Sequence, residues 1–364
     1  MIARHISSAY KCSLSLDIIK SSDFYDVKTG YLVIEKTVFK HFLNPYNLKI
    51  VNLKSKFLSV KFIIMLSFLP RPLIGFLSLV CYTINTLLWV LPVVVSSLLK
   101  ALVPLKGWQK LFSYLLDRMA SNWVTCNTGI QNLFTKVNYQ VTGLDKLTTK
   151  DWYLVLSNHQ SWVDILVLQR LLNGKIPFLK FFLKKELIYV PFLGIAWWAL
   201  DFPFMKRYSQ AFLKRNPHLI GKDIETTRKA CEKFKHKPVS VMNFIEGTRY
   251  TQAKHEKQKS PFKHLLRPKA GGIAFVLDAM GQHLNKIVNV TIYYPNGIPS
   301  YQQFISGDVS EIHVNVETID IPDEIIGDYF NDKAFKQNFQ QWVNQLWRDK
   351  DQTMAEMELA DHQS

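Results

Sequence analysis

The chain has 364 residues, of which 48% are hydrophobic and 20% charged, and its net charge is +16. This composition excludes a wholly disordered chain, and only 15 Gly and 15 Pro exclude a collagen-like architecture. The positive charge indicates an anionic partner: a nucleic acid, an anionic membrane or an anionic small molecule. Residues 276–364 are instead acidic, with 14 Asp or Glu against 5 Lys or Arg, so the chain is not basic throughout.

The N-terminal third divides into two parts. Residues 1–64 mix polar and apolar side chains without clear periodicity, and we interpret them as a poorly defined extension. From Pro72 to Leu99 there are 28 residues without a charge, more than the about 20 that a helix needs to cross a bilayer. The run starts too late and is too long for a cleavable signal peptide. Residues 65–130 are therefore predicted to be a membrane-associated helical segment.

The topology of this segment is left open by its flanking charges. Four cations precede the run and four follow it, so the positive-inside rule assigns no orientation. A hairpin with arms Phe57–Leu69 and Pro72–Leu91, a helix in the membrane interface and a single span all fit. Pro92 is expected to kink the helix or end it.

Beyond about residue 130 the pattern predicts alternating strands and helices. The strand-like runs are Val137–Thr142, Trp152–Ser157, Val239–Phe244, Ile287–Ile292 and the alternation Ile312, Val314, Val316. Helical patterns are Ser161–Leu172, Lys222–Lys235 and the spacing from Phe335 to Leu346. The prediction is an α/β domain over residues 131–364, with a mixed, largely parallel sheet flanked by helices and an acidic C-terminal helix.

A histidine follows the buried strand Trp152–Ser157, at the place where open α/β sheets put their active sites. His159 is five residues before Asp164, which is expected at the third position of a helix capped by Ser161. From there its carboxylate could orient the imidazole as a general base. The spacing alone fits equally well a carboxylate that only caps its helix and an ordinary loop histidine.

A second polar segment ends the strand Val239–Phe244. Gly247 permits a tight turn, Arg249 can bind a phosphate through two parallel hydrogen bonds, and Glu246 could accept from a ligand hydroxyl or hold Arg249. Taken alone, the segment also fits an ordinary turn with a surface ion pair.

Together, the ordered segments resemble the glycerolipid acyltransferase family, which includes the 1-acylglycerol-3-phosphate acyltransferases. The segments that carry the resemblance are SNHQSWVD at 157–164, FLKKEL at 182–187 with PFLG at 191–194 and FMKR at 204–207, NFIEGTRY at 243–250, and HLLRPKAGG at 264–272. The likeness covers roughly residues 72–350 and is greatest to bacterial inner-membrane members. The chain departs from the family pattern at Ile245, at Lys206 and in the run Ile287–Val290. In the family these positions belong to the acceptor and acyl pockets, so the departures bear on the identity of the acceptor more than on the reaction.

The resemblance implies a role for each matching residue. His159 is expected to be the general base and Asp164 its orienting partner. The residues expected to bind the phosphorylated acceptor are Glu246, Gly247, Thr248, Arg249, Arg207, Lys184 and Lys185. The implied reaction moves a fatty acyl group from a thioester of coenzyme A or acyl carrier protein to the sn-2 hydroxyl of lysophosphatidic acid, with no metal or cofactor. The implied location is an anionic inner membrane, with the catalytic domain on the cytoplasmic side.

Three alternatives remain open at this point, and one of them is a non-catalytic membrane scaffold that retains the fold. Another lysophospholipid, such as lysophosphatidylglycerol, could be the acceptor. A membrane-tethered nucleic-acid-binding protein would also explain the positive charge, although the sequence has no helix-turn-helix, zinc-finger or aromatic RNA-binding signature, and we predict no nucleic-acid partner.

Overall fold

The computed structural model describes residues 69–202, 204–205, 237–281 and 283–363, with residues 66 and 215. The α-helices are α1 Arg71–Leu102, α2 Lys106–Phe134, α3 Val163–Leu172, α4 Leu193–Ala199, α5 Gln252–Gln258, α6 Ala270–Met280, α7 Tyr301–Ile305 and α8 Lys333–Gln363. The strands are β1 Asn138–Thr142, β2 Tyr153–Ser157, β3 Leu179–Phe181, β4 Leu183–Lys184, β5 Phe204–Met205, β6 Ser240–Phe244, β7 Lys286–Tyr293 and β8 Glu311–Asp320. Short 3-10 helices are Leu144–Lys146, Lys185–Tyr189 and Asp323–Ile325.

Six strands form one sheet in the order β1-β8-β7-β2-β6-β3, and β4 pairs with β5 separately. Neighbours in the six-stranded sheet are parallel, except that β7 and β8 are antiparallel. All five residues of β2 are buried, as expected for a central strand whose sheet is covered on both faces. These observations confirm the predicted α/β fold with a mixed, largely parallel sheet.

Each face of the sheet has its own apolar core. On one face, α6 and α8 pack through residues such as Ile273 and Trp347. On the other face, α3 packs through Val167, and α1 contributes Tyr82. This arrangement follows from the apolar stripes of the amphipathic helices, because each stripe removes its surface from water by packing on the sheet.

Helix α1 differs from the expected hairpin arm. It continues through Pro92 to Leu102, and its neighbour is α2. The predicted arm Phe57–Leu69 lies almost entirely outside the described residues. Val93, the residue after Pro92, is buried in a cluster with Leu116 of α2. This packing offsets the backbone hydrogen bond that proline removes.

Polar contacts tie α1 to the rest of the protein. Asn85 donates to Asn127 Oδ1 of α2 at 2.8 Å. At the start of α1, Arg71 is 2.6 Å from Asp308, and near its end Lys100 is 2.7 Å from Asp201. These contacts hold α1 against both α2 and the sheet domain.

For most of the described elements, the observed bounds differ from the predicted bounds by a few residues. The largest change is the C-terminal helix, which extends to Gln363 because its apolar stripe continues beyond Leu346 to Met354. Helix α3 begins at Val163 rather than at Ser161. The predicted helix Lys222–Lys235 lies outside the described residues.

Candidate active site

The two polar segments meet because β2 and β6 are neighbouring parallel strands. In their register Ser157 lies opposite Phe244, so both strands end at the same edge of the sheet. His159 and Glu246 each lie two residues beyond these ends. The backbone N–H of His159 donates to Glu246 Oε1 at 3.1 Å, although 87 residues separate the two in sequence.

His159 and Asp164 form the predicted pair. Nδ1 of the imidazole lies 2.9 Å from Asp164 Oδ2. Because an ionised carboxylate only accepts, this contact assigns the ring proton to Nδ1 and leaves the lone pair on Nε2. No described residue forms a hydrogen bond to Nε2. The ring also stacks on Phe244, with centroids 3.8 Å apart and planes 13° from parallel.

The Asp164 carboxylate is itself held in place from several sides. Oδ2 also accepts the backbone N–H groups of Gln160 at 2.6 Å and Ser161 at 2.9 Å, and Oδ1 accepts the Tyr294 hydroxyl at 2.6 Å. Asp164 is only 1% exposed. Burial and the neighbouring carboxylate raise the pKa of Tyr294 well above its usual value, so the phenol stays a donor.

The capping prediction at this helix is partly wrong. Because α3 begins at Val163, Asp164 is its second residue, and Ser161 is not the residue directly before the helix. The carboxylate nevertheless reaches back to the Ser161 N–H, as a capping box would require. The Ser161 hydroxyl donates to the Pro299 carbonyl at 2.5 Å and accepts the Val163 N–H at 3.2 Å.

The position of Glu246 corrects its predicted role. Its side chain is fully buried, so it does not face a ligand, and it forms no ion pair with Arg249. Instead, Oε1 accepts the His159 N–H, and Oε2 accepts the Leu266 N–H at 3.3 Å. Glu246 therefore connects the backbone of the histidine loop with the loop before α6.

The burial of Glu246 leads to a prediction about pH and stability. Burial raises the pKa of Glu246 from 4.5 to about 8, although the backbone N–H groups of His159 and Leu266 lower it in part. Since the unfolded chain releases this proton at lower pH than the folded protein, the group's stabilising contribution is present below pH 4.5 and is lost as pH rises to about 8.

The measurement compares urea unfolding of the parent and Glu246→Gln from pH 4.5 to pH 9. We expect the parent's advantage in free energy of unfolding to shrink with rising pH up to about 8 and then to level off. Parallel pH curves for the two proteins would contradict the raised pKa.

A cavity of about 260 Å³ opens beside His159. Its walls come from the ends of β3, β4 and β6 and the turn after β6, and the lining residues are His159, Phe181, Phe182, Lys184, Met242, Asn243, Phe244, Gly247, Thr248 and Arg249. The cavity combines aromatic rings with an imidazole and two exposed cations. It has the composition expected for an anionic substrate with an apolar part.

The turn after β6 places its side chains at the cavity mouth. Gly247 has φ of 68°, a conformation that disfavours other residues. Arg249 lies over the exposed ring of Trp162, with its guanidinium carbon 4.8 Å from the ring centroid. The Thr248 hydroxyl accepts from Lys254 at 2.8 Å. Among the described residues, none accepts a hydrogen bond from the Arg249 guanidinium, and the indole face holds its plane.

The structure brings together His159, Asp164, Gly247, Thr248, Arg249 and Lys184. Lys185 is exposed and follows the lining residue Lys184 in sequence, but it does not itself line the cavity. Arg207 lies outside the described residues.

Three contributors were not found from the sequence. They are Tyr294, Trp162 and Lys269. The Lys269 ammonium lies close to Gly247, because a Cβ added to that glycine would be 3.1 Å from it. Lys269 stands in the HLLRPKAGG segment, so that segment was the available signal.

Within the part of the chain that the structure describes, one group of potential metal ligands lies elsewhere at this edge. Glu311, His313 and Asp361 place one ligand atom each within 4.8 Å of one another. Glu311 and His313 belong to β8, two strands from β2, and none of the three lines the cavity. The cavity itself has the His159–Asp164 pair at its wall, with Lys184 and Arg249 nearby.

The comparisons with known proteins match the part of the chain that contains this site. A family model described as Acyltransferase matches residues 138–294. The chain is 24% identical over 260 residues to lysocardiolipin acyltransferase 1 of Danio rerio, covering 67% of this chain and 62% of that protein. It is 27% identical over 203 residues to a probable 1-acyl-sn-glycerol-3-phosphate acyltransferase 5 of Arabidopsis thaliana, covering 52% of each. The matched parts thus span between half and two thirds of these relatives.

A solved structure is also similar. It is the 1-acyl-sn-glycerophosphate (LPA) acyltransferase PlsC from Thermotoga maritima, with a TM-score of 0.42 and 16% identity, covering 76% of this chain and 97% of that one. The family match is a sequence match. The matched residues 138–294 contain both polar segments of the site, His159–Asp164 and Glu246–Arg249. Residues 138–294 are an acyltransferase domain, and the chain is similar in sequence to lysocardiolipin and 1-acyl-sn-glycerol-3-phosphate acyltransferases.

Proposed function

We propose that the protein transfers a fatty acyl group from an acyl thioester to the sn-2 hydroxyl of lysophosphatidic acid, giving phosphatidic acid. The observation that carries this proposal is the His159–Asp164 pair at the wall of a cavity that also contains Arg249 and Lys184. The pair supplies a base for a hydroxyl, and the cations supply partners for a phosphate.

The chemistry follows from the assigned tautomer. His159 Nε2 takes the proton of the acceptor hydroxyl while the oxygen attacks the thioester carbonyl carbon. The Asp164 carboxylate stabilises the imidazolium that forms. Collapse of the tetrahedral intermediate breaks the carbon–sulfur bond, and the departing thiolate takes the proton back from Nε2. The Thr248 hydroxyl is bound by Lys254 rather than by His159, which favours direct transfer over an acyl-enzyme.

The size of the cavity supports a small acceptor head. At about 260 Å³ it is below the range of about 300–1,000 Å³ typical of sites for drug-sized molecules. A terminal phosphate monoester needs less room than a phosphodiester that carries glycerol or a second lipid. Lysophosphatidic acid is therefore preferred over lysophosphatidylglycerol, the second candidate, even though the zebrafish relative is named for lysocardiolipin.

The surface of α1 supports a location at a membrane. The side of α1 that packs inside the protein includes the small or polar residues Gly75, Ser78, Asn85 and Ser96. Large apolar side chains instead face outward, and they include Phe76, Ile84, Leu87, Leu88, Leu91, Val95 and Leu98. This distribution is the reverse of that of a helix on a soluble domain, and it suits contact with lipid.

The apolar surface continues onto the neighbouring α4 region. Tyr189, Phe192, Ile195 and Trp198 are each more than half exposed. An apolar surface next to the catalytic domain gives a lipid acceptor a route from the bilayer to His159. We place the domain on the cytoplasmic side of an inner membrane, as the resemblance to bacterial members implies.

A substrate panel tests the function. Detergent-purified protein is assayed with lysophosphatidic acid, lysophosphatidylglycerol and other lysophospholipids, each with acyl-coenzyme A and with acyl carrier protein thioesters. We expect kcat/KM for lysophosphatidic acid to exceed the others about tenfold or more, because only this acceptor has a terminal phosphate for the cations to bind. A higher value with another headgroup would transfer the assignment to that acceptor. Salt-dependent DNA retention without thioester consumption would support the nucleic-acid alternative instead.

A further inference from the structure

A second, larger cavity lies between the loop before α6 and the C-terminal helix α8. Its volume is about 510 Å³, within the range of about 300–1,000 Å³ typical of small-molecule sites. We call it the two-arginine groove, and its lining residues are Pro261, Phe262, Arg267, Pro268, Gln340, Asn344, Arg348 and Asp351. No residue predicted for the acyl-transfer site belongs to it.

The groove contains two guanidinium groups without acidic partners. Among the described residues, neither Arg267 nor Arg348 forms an ion pair with a carboxylate. Arg267 is held by the carbonyls of Gln258 at 2.9 Å and Lys259 at 2.7 Å, and Arg348 by Gln345 Oε1 at 2.9 and 2.6 Å. In each case the remaining terminal nitrogen, Nη1, has no described partner. Two oriented cations of this kind are suited to phosphate oxygens.

The other walls suit an organic group attached to such phosphates. Two prolines and Phe262 supply apolar surface, and Gln340 and Asn344 supply amides. The one acidic side chain, Asp351, accepts the backbone N–H groups of Lys263 and His264, both at 2.8 Å. Its oxygens are therefore engaged with the wall, although its charge still opposes an anion.

The groove and the candidate active site share one short stretch of chain. Leu266 N–H donates to Glu246, and Lys269 N–H donates to the Ile245 carbonyl at 2.9 Å. The two residues between them, Arg267 and Pro268, line the groove. The four-residue stretch 266–269 therefore contacts the candidate active site at its two ends and a ligand in the groove at its middle.

We propose that the two-arginine groove binds the phosphate-bearing nucleotide head of the thioester donor, a coenzyme A type molecule. This inference rests on the proposed acyl transfer, since it assigns a place to that reaction's donor. The cavity beside His159 is too small to hold both the acceptor phosphate and a nucleotide head. The proposal requires that the flexible arm of the donor bring its acyl thioester to His159 while the head stays in the groove.

The experiment uses adenosine 3′,5′-bisphosphate as a probe of the nucleotide head, measured by calorimetry on the full-length protein in detergent. The test variant is Arg348→Gln, because Arg348 is exposed and its only described hydrogen bonds are to Gln345 of its own helix. Lys333→Gln is the matched control, since it removes one exposed charge from α8 outside the groove. Thermal unfolding of both variants verifies that each is folded.

We expect Arg348→Gln to raise the Kd of the bisphosphate and the KM for acyl-coenzyme A about tenfold each, as loss of one charged hydrogen-bonding partner implies. The kcat and the KM for the acceptor should stay within about twofold, and Lys333→Gln should match the parent. Failure of the parent to bind the bisphosphate, or an unchanged Kd in Arg348→Gln, would overturn the proposal.

These outcomes separate the groove from the acyl-transfer function. Transfer from acyl carrier protein without bisphosphate binding would overturn the groove and leave the function intact. Arg348-dependent binding without transfer to any lysophospholipid would support a nucleotide site and refute the proposed function.

Discussion

Replacing His159 by alanine is expected to lower kcat for acyl transfer by about 10²–10⁴-fold, the usual contribution of a general base. The reason is geometric, because the Asp164 contact at Nδ1 leaves Nε2 as the nitrogen that accepts a proton at the cavity wall. The measurement is thioester consumption by the detergent-purified variant, together with the fraction of protein retained in membranes. Retention should be unchanged, because His159 lies outside α1.

Two further variants make this test specific. Asp164→Asn should lose a similar factor, since an amide cannot stabilise the imidazolium, and the double variant should be no worse than either single one because the pair acts as a unit. His283→Ala is the control, since this ring stacks on Trp152 at the opposite end of β2. Full turnover in His159→Ala would remove the proposed mechanism.

Replacing Trp347 by alanine is expected to lower the free energy of unfolding by about 3–5 kcal/mol. Trp347 is fully buried in the core between α8 and the sheet, so its loss leaves a large cavity. Its indole N–H also donates to the Leu266 carbonyl at 3.0 Å, and the Leu266 N–H contacts Glu246. Chemical denaturation of the purified variants measures the effect.

Trp347→Phe separates packing from hydrogen bonding. The phenyl ring fills most of the site but leaves the Leu266 carbonyl without its donor, for which we expect a loss of about 1–3 kcal/mol. Equal losses in the alanine and phenylalanine variants would show that the hydrogen bond, and not the packing, dominates. A loss below about 1 kcal/mol in Trp347→Ala would contradict the assigned core position.

A buried lysine on the same helix shows how closely α8 is joined to the sheet. Lys350 is 1% exposed and donates to the Val290 carbonyl at 2.5 Å and the Thr291 hydroxyl at 3.1 Å. Burial lowers the pKa of Lys350 to about 7, with Glu317 and Glu246 acting in the opposite direction. The C-terminal helix is thus attached to the strand beside β2 by a polar contact inside an apolar core.

The two central residues of the candidate site were predictable because their relation is local. His159 and Asp164 are five residues apart, after a strand whose apolar run marks it as buried. The strand patterns also predicted that each polar segment follows a strand, whereas the structure shows that β2 and β6 are neighbours that end at one edge of the sheet. The role of Glu246 was not predictable, because its contacts depend on residues up to 87 positions away and on complete burial.

By itself, the amino-acid sequence determined the α/β class and the apolar helix, since each depends on periodicity, and the resemblance of its ordered segments singled out the His–Asp pair. The tertiary structure alone decided that Glu246 faces inward, that Trp162 holds Arg249 and that Arg267 and Arg348 share one groove. It also decided which side of α1 faces outward, because a run of 28 uncharged residues has too little contrast to show a buried face. In each case the physical reason is the same: side-chain burial and long-range pairing are set by packing between elements, which no local pattern encodes.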